Sequence, residues 1–424
     1  MAATGSNNHH KNGRVAKPCR YPFHYNNQKT MRVQEAISVV DLERLAQRRL
    51  PRILFECIQS GVEDEQGVLR NAAGFHSHQL LPRHLVDVSE RVQATTIFGR
   101  SYASPFGISP TGIAELFRRG ADLMLAKAAA SVNVPSIMSG SSMTSPETIS
   151  KEVPDNPWYQ LYAASDPKIT DDFIRRARDC GFKTLVLTVD NPVFPKLERD
   201  KRNGFSIPFR ISLPILFDAL LHPRWTIEYL RHGGLPMMQT WKPYAPPGAS
   251  PAEVSAFRRS QNPSVQTWRD LDRIRRLWPG NLVIKGLARA SDALRAADAG
   301  VEGVMVSNHG GKTLDRAPAT VDALVAIAAA VGDKITVMLD SGVRRGSDIV
   351  TGLCLGAQLV FVGRATLYGV AAGGEAGARR ALEILREEVD MTLALIGCPN
   401  IAELGPDFLY ENQQPTGDRL NASG

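Results

Sequence analysis

A histidine set before two glycines, an aspartate that ends one apolar run and a lysine that ends another carry the clearest chemistry in this 424-residue chain. His309 stands in SNHGG, where the glycines keep it out of a packed interior and leave its imidazole available as a base near neutral pH. Asp190 closes TLVLTVD and suits the support of an imidazolium from another strand end. Lys285 closes LVIKG, a place from which it can stabilise negative charge developing on a bound ring. Ser139, Gln160 and Thr188 offer the neutral hydrogen bonds that a polar ring needs, with the Tyr162 phenol beside them and Pro110-Thr111-Gly112 at a further end. Asp340-Ser341-Gly342 with Arg344, and Gly363-Arg364, pair glycines with arginines. Backbone N–H groups of Gly342 and Gly363 can approach an anion closely while Arg344 and Arg364 neutralise it. Singly, each residue has a plainer explanation: a solvated lysine, a helix-capping aspartate, a rim tyrosine, glycines that only turn the chain. The recurrence of a polar group at almost every strand end points to one shared mouth.

The elements that must bring these groups together are eight apolar runs at 105–110, 135–140, 158–162, 184–190, 282–286, 303–310, 335–342 and 358–363. Segments of helical periodicity, such as DDFIRRARDCG and VDALVAIAAAVG, lie between most of them. Unbroken apolar strands alternating with helices predict a parallel sheet covered on both faces, and eight such units predict a (β/α)₈ TIM barrel. An open doubly wound sheet is the alternative; the missing G-x-G-x-x-G after the first strand counts against it. A long insertion after strand 4, about 204–265, interrupts the pattern and has too few periodic apolar residues for a core of its own. Residues 1–37 read as a polar tail without the apolar region of a signal peptide, and 38–424 as one barrel domain whose first helix is capped by Ser38 with Asp41.

Composition narrows the class. Hydrophobic residues at 43% and charged residues at 22% exclude a disordered or fibrous chain. No run of 18 apolar residues is present, which excludes a spanning helix. The net charge of +7 is spread without a block of like charges, so no nucleic-acid arm is expected. Five scattered cysteines (Cys19, Cys57, Cys180, Cys354, Cys398) suit reduced thiols in a cytoplasmic protein, and neither they nor the His9-His10 pair suggest a metal site. A phosphate cradle without a magnesium carboxylate cluster implies a phosphorylated cofactor doing its chemistry at the other end, and flavin mononucleotide (FMN) fits the neutral donors and Lys285.

The segments LTVD, VIKG, VSNHGG, LDSGVRRGSD and VGRATLYG, with PTG and WYQLY, resemble the FMN-dependent α-hydroxy-acid dehydrogenase/oxidase family over nearly all of residues 38–410. GVEDEQGVLRN, LLPRHLVDVSE and LALIGCPNIAEL look closest to its mandelate and lactate dehydrogenase branch. The resemblance implies a TIM barrel, bound FMN, and oxidation of a carbinol carbon beside a carboxylate. It assigns FMN contacts to Pro110, Thr111, Gly112, Ser139, Gln160, Thr188, Lys285, Asp340, Gly342, Arg344, Gly363 and Arg364. It makes His309 the base, Asp190 its partner and Tyr162 the hydroxyl-stabilising tyrosine.

Three departures stand at the substrate. The family holds the substrate carboxylate with a tyrosine and two arginines, and at those positions this chain has Cys57, Leu197 and Lys312. Arginine to leucine removes a bidentate partner, and arginine to lysine keeps charge without the fork. A family member that oxidises beside an amide, tailoring a peptide-derived redox cofactor, similarly lacks this grip. The expectation is an oxidoreductase for an alcohol or amine carbon next to a carbonyl. Its alternatives are an oxidase of a hydroxy amide or amino lactam and a flavin-binding protein without catalysis, while neighbouring residues of the insertion are the other source of carboxylate contacts. The reoxidant is open among oxygen, a quinone and a carrier, and a homotetramer is expected. The insertion's ISLPILFDALLHPRWTIEYLRHGG suits either a lid over the mouth or a peripheral contact with the inner membrane.

Overall fold

Each of the eight apolar runs forms a strand in the computed structural model, which describes residues 31–154, 157–206, 212–262 and 264–410. In chain order the barrel strands are β1 (Phe106–Ile108), β2 (Ser136–Met138), β3 (Pro157–Leu161), β4 (Thr184–Thr188), β5 (Asn281–Leu287), β6 (Gly303–Val306), β7 (Thr336–Leu339) and β8 (Leu359–Val362). Neighbours pair in parallel, and β8 returns to β1 through Val360–Phe106 and Val362–Ile108, closing the (β/α)₈ barrel. Burial on both faces is why the runs read as continuous rather than alternating: every residue of β1, β2, β3, β4, β6 and β8 is buried. One face of each strand fills the barrel with Ile137, Trp158, Val186, Val283, Met305 and Met338.

An antiparallel hairpin, Thr95–Ile97 with Arg100–Tyr102, joins that interior cluster through Ile97 and Tyr102. The Tyr102 hydroxyl accepts from Trp158 Nε1 at 3.3 Å, and Phe98 lies against the start of β6, so the hairpin plugs the end opposite the strand C-termini. The hairpin strands, TTI and RSY, hold too few apolar residues to announce themselves in sequence.

Ser38 caps the helix Val39–Arg49 as expected: its Oγ accepts from Asp41 N at 3.3 Å, and the Asp41 carboxylate accepts from Ser38 N at 3.1 Å. The compact unit nevertheless begins at Val33, earlier than the boundary expected at Ser38. Ala36 is fully buried and its carbonyl accepts from Arg380 Nε at 3.0 Å, a contact invisible to helical periodicity. Residues 1–30, with His9, His10 and Cys19, lie outside the described residues. Cys57, Cys180, Cys354 and Cys398 are free thiols.

The insertion contains the helices Leu213–Leu221, Pro223–Arg231 and Pro251–Gln261. Aromatic residues fasten it to the loops beyond β1 and β2. Trp225 Nε1 donates to Leu116 O and Trp241 Nε1 to Gly140 O, both at 3.0 Å, and the Tyr229 hydroxyl donates to Glu115 O. These rings join the main core, which is why the insertion needs none of its own. On the outside, the helix Leu213–Leu221 leaves Leu213, Phe217, Leu220 and Leu221 exposed, with Phe217 at 65%. Trp241 is fully buried, edge-on to Phe173 at 4.8 Å. Trp241→Ala should therefore destabilise the protein by about 3–5 kcal/mol in urea unfolding; a loss below about 1 kcal/mol would show that the insertion is only loosely docked.

Candidate active site

The strand C-termini open on a cavity of about 310 Å³. Asp190 follows β4, and its seat requires a glycine opposite: Gly286 has φ 109°, and a Cβ there would come within 2.5 Å of Asp190 Cβ. His309 follows β6 and Tyr162 follows β3. His309 Nδ1 lies 2.9 Å from Asp190 Oδ1, and its Nε2 lies 3.1 Å from the Tyr162 hydroxyl. A carboxylate only accepts, so Nδ1 carries the hydrogen and the Nε2 lone pair faces the cavity. Burial, and then the charge of Asp190, push the Tyr162 phenol well above its ordinary range, so it serves as a donor. This arrangement can take a proton from a substrate oxygen or carbon and hold the resulting imidazolium.

Lys285, at the end of β5, is almost without solvent contact. Its Nζ lies 3.0 Å from Asp340 Oδ2 and donates to Ser307 Oγ at 2.6 Å. Burial alone would raise the Asp340 carboxyl, but the Lys285 charge and hydrogen bonds from Ser307 and Ser109 outweigh it and hold it below the usual range. Asp340, expected as a cofactor contact, is thus also the counter-ion of a buried lysine under the mouth.

Gln160 and Ser139 lie deeper, beneath the loop after β2: Gln160 Oε1 accepts from Gly140 N at 3.0 Å and from Ser139 Oγ at 3.3 Å. Gln160 Nε2 and Thr188 Oγ1 are shut off from solvent and have no hydrogen-bond partner in the protein. Such orphans cost about 1–3 kcal/mol each unless a ligand completes them. A ring with carbonyl and nitrogen acceptors along its edge does so, which is the fit expected of FMN over Lys285. Pro110, Thr111 and Gly112 form the cavity wall after β1.

The phosphate end differs in detail from expectation. Gly342, at φ 90°, leaves room that a Cβ could not occupy without meeting Asn71 O at 2.9 Å, and Gly363 caps the long helix that starts at Arg364. Backbone N–H groups at that helix start suit a phosphate. The Arg364 side chain, expected to pair with the anion, is instead held by three carbonyls: Ile58 O and Ser60 O at 2.8 and 2.9 Å, and Gly310 O at 2.9 Å. Burial and the neighbouring Arg344 bring its guanidinium down to about 10. Arg344 gives one N–H to Val343 O and lines the cavity.

Cys57, Leu197 and Lys312 all line the cavity as one wall. Burial pushes the Cys57 thiol up to about 12, so it is neither nucleophile nor anion ligand. Lys312 is half-buried, and its Nζ donates to Cys57 O at 2.9 Å and Ser60 Oγ at 3.0 Å. Sequence reasoning missed two contributors. Asn71 exchanges hydrogen bonds of 2.8 and 2.7 Å with Asn308, pinning the His309 loop to the helix Gln66–Ser77. Arg258 enters the cavity from the insertion helix Pro251–Gln261 and donates to Ser141 Oγ at 2.7 Å. Nothing in PAEVSAFRRSQ marks which of its arginines turns inward.

Comparison with known proteins agrees with this geometry. The FMN-dependent dehydrogenase family matches residues 46–411. The chain is 39% identical over 377 residues to (S)-mandelate dehydrogenase of Pseudomonas putida, covering 89% of this chain and 94% of that one. It is 37% identical over 378 residues to a putative L-lactate dehydrogenase of Mycobacterium tuberculosis, covering 88% and 89%. The crystal structure of the monotopic membrane protein (S)-mandelate dehydrogenase superposes with a TM-score of 0.85 at 39% identity, over 88% of this chain and 99% of that one. The chain is thus an FMN-dependent oxidoreductase acting on CH–OH groups, a member of the FMN-dependent dehydrogenase family.

Proposed function

We propose that the enzyme oxidises a carbon that carries a hydroxyl, or an amine, next to a carbonyl, in a substrate not held by the usual tyrosine and two arginines. The observation that carries this reading is the chain Asp190–His309–Tyr162, with links of 2.9 and 3.1 Å, aimed into the cavity beside Lys285. Gln160, Thr188 and Lys285 would hold the flavin ring, and Gly342, Arg344 and the Gly363 helix start its phosphate. FMN, when bound, supplies the acceptor for two electrons and the carbon-bound hydrogen. His309 Nε2 takes the remaining proton as C–OH becomes C=O, Asp190 stabilises the imidazolium, and Tyr162 donates to the substrate oxygen. The Lys285 ammonium, paired with Asp340, would favour negative charge on a flavin ring held beside it.

The altered wall supports a changed substrate. Leu197 has no donor, the Cys57 thiol is a weak one, and Lys312 is already committed to Cys57 O and Ser60 Oγ. His309→Ala should keep FMN, seen as a yellow protein, and lose on the order of 10² to 10⁴ in the rate of substrate-driven flavin reduction. Near-normal reduction would remove His309 from its role.

Small acids with little apolar surface should be poor substrates. Glycolate and lactate should reduce the flavin slowly, because each missing charge-assisted bond is worth roughly 1.5–3 kcal/mol. The triple variant Cys57→Tyr, Leu197→Arg, Lys312→Arg should raise stopped-flow rates with both acids. Fast wild-type reduction by glycolate or lactate would contradict the altered grip.

We further infer peripheral membrane contact through the insertion. Leu213, Phe217, Leu220, Leu221 and Leu230 are exposed near Arg224 and Arg231, a composition suited to an anionic lipid surface. Among the described residues no helix is long and apolar enough to cross a membrane. The protein should sediment with anionic vesicles, and Phe217→Ser with Leu220→Ser and Leu221→Ser should release it; a wild type that stays in the supernatant would exclude the contact.

A further inference from the structure

Arg258 lines the same cavity as His309, half-buried, and no acidic side chain among the described residues neutralises it. Its Nη2 donates to Ser141 Oγ at 2.7 Å, while Nε is shut off from solvent and has no partner. The groups that act on its charge are Tyr162, neutral at physiological pH, and Arg259, which repels it; burial also disfavours the charged form. Arg259 turns away and stacks over the Phe194 ring at 4.5 Å. An enclosed guanidinium without an anion is an expensive arrangement, and a ligand that brings negative charge relieves it.

The position of Arg258 relative to the altered wall follows from the barrel. Ser141 lies just beyond β2, whereas His309 and Lys312 lie beyond β6, four places away around a ring of eight strands. Arg258 therefore reaches the mouth from the side opposite Lys312. On the Lys312 side, Leu197 and Phe205 line the cavity with apolar surface, whereas Phe194 lies under Arg259 on the insertion side.

We propose that Arg258 binds the carboxylate of the substrate from the insertion side, leaving an apolar substituent to lie against Leu197 and Phe205. The inference rests on the reading of the site as one that oxidises a carbinol beside a carbonyl. Its chemistry selects hydroxy acids with a bulky apolar group, oriented by one arginine from the insertion rather than by the wall at Cys57, Leu197 and Lys312.

The test uses the FMN-loaded protein and three probes: phenylacetate, a carboxylate that cannot be oxidised at its α-carbon as an alcohol, and mandelate and mandelamide of either hand. Binding of phenylacetate is read from the flavin absorbance, and KM from flavin-coupled turnover. Arg258→Met should weaken phenylacetate binding and raise the KM for mandelate by about 10- to 100-fold, with the KM for mandelamide changing by less than about threefold. Arg258→Lys should recover part of the loss for both carboxylates. Unchanged phenylacetate affinity in Arg258→Met, equal losses for acid and amide, or a wild type that does not bind phenylacetate would each overturn the assignment. Retained FMN in the variants reports an intact barrel. Because phenylacetate needs no turnover, failure of every hydroxy compound to reduce the flavin would count against the proposed function while the titration still decides Arg258.

Discussion

Parallel pairing of β8 with β1 is the constraint from which the site follows. Once Val360 and Val362 lie beside Phe106 and Ile108, eight strand C-termini must share one rim, however far apart they are in sequence. Closure is what sets Asp190 beside His309 across 119 residues, and Tyr162 beside the same ring across 147. It also removes water from Lys285 and Asp340, so that the 3.0 Å ion pair acts at low dielectric and helps hold the Asp340 carboxyl below its usual range. The hairpin at the far end completes this by plugging the barrel through Tyr102 and Trp158, which leaves the rim as the open end.

The cations around the mouth divide by what already satisfies them. Lys285 has Asp340, Arg364 has three carbonyls, and Lys312 has one carbonyl and one hydroxyl. Arg364 and Lys312 therefore act mainly as tethers that draw the Ile58–Ser60 segment against the loop after β6. Of the remaining cations facing the cavity, Arg344, near the Gly363 helix start, has Glu43 as an acidic neighbour, whereas Arg258, beside Tyr162, has none among the described residues. One suits a phosphate and the other a second anion, at separate parts of the same space.

Much of this was legible in the sequence because strand ends in a barrel are functional by position. TLVLTVD and VSNHGG each place a reactive group where an apolar run stops, so run and residue can be read together. The hairpin at Thr95–Tyr102 was not legible, since its strands, TTI and RSY, carry too few apolar residues to form a run. What the sequence does not show of Arg364 is its three bonds to Ile58 O, Ser60 O and Gly310 O, because they join segments far apart in the chain. Arg258 was hidden in the same way. Its helix is tied to the loop after β3, where Gln261 accepts from Ser165 N and Asp166 N and Asn262 donates to Ala163 O, and such long-range contacts leave no periodic trace around residue 258.

That docking gives the insertion two faces with opposite demands. Inward, Trp241 and Tyr229 are buried against the barrel loops, and Arg258 is carried into the mouth. Outward, the helix Leu213–Leu221 buries only Ile215 and Ala219 and leaves five large apolar side chains in solvent. Isolated exposed leucines need no explanation, but a contiguous set on one short helix is the pattern of an interaction surface, the one the proposed membrane contact would use. The two faces belong to one segment of chain, so the insertion offers apolar surface to the outside while it adds a guanidinium to the mouth.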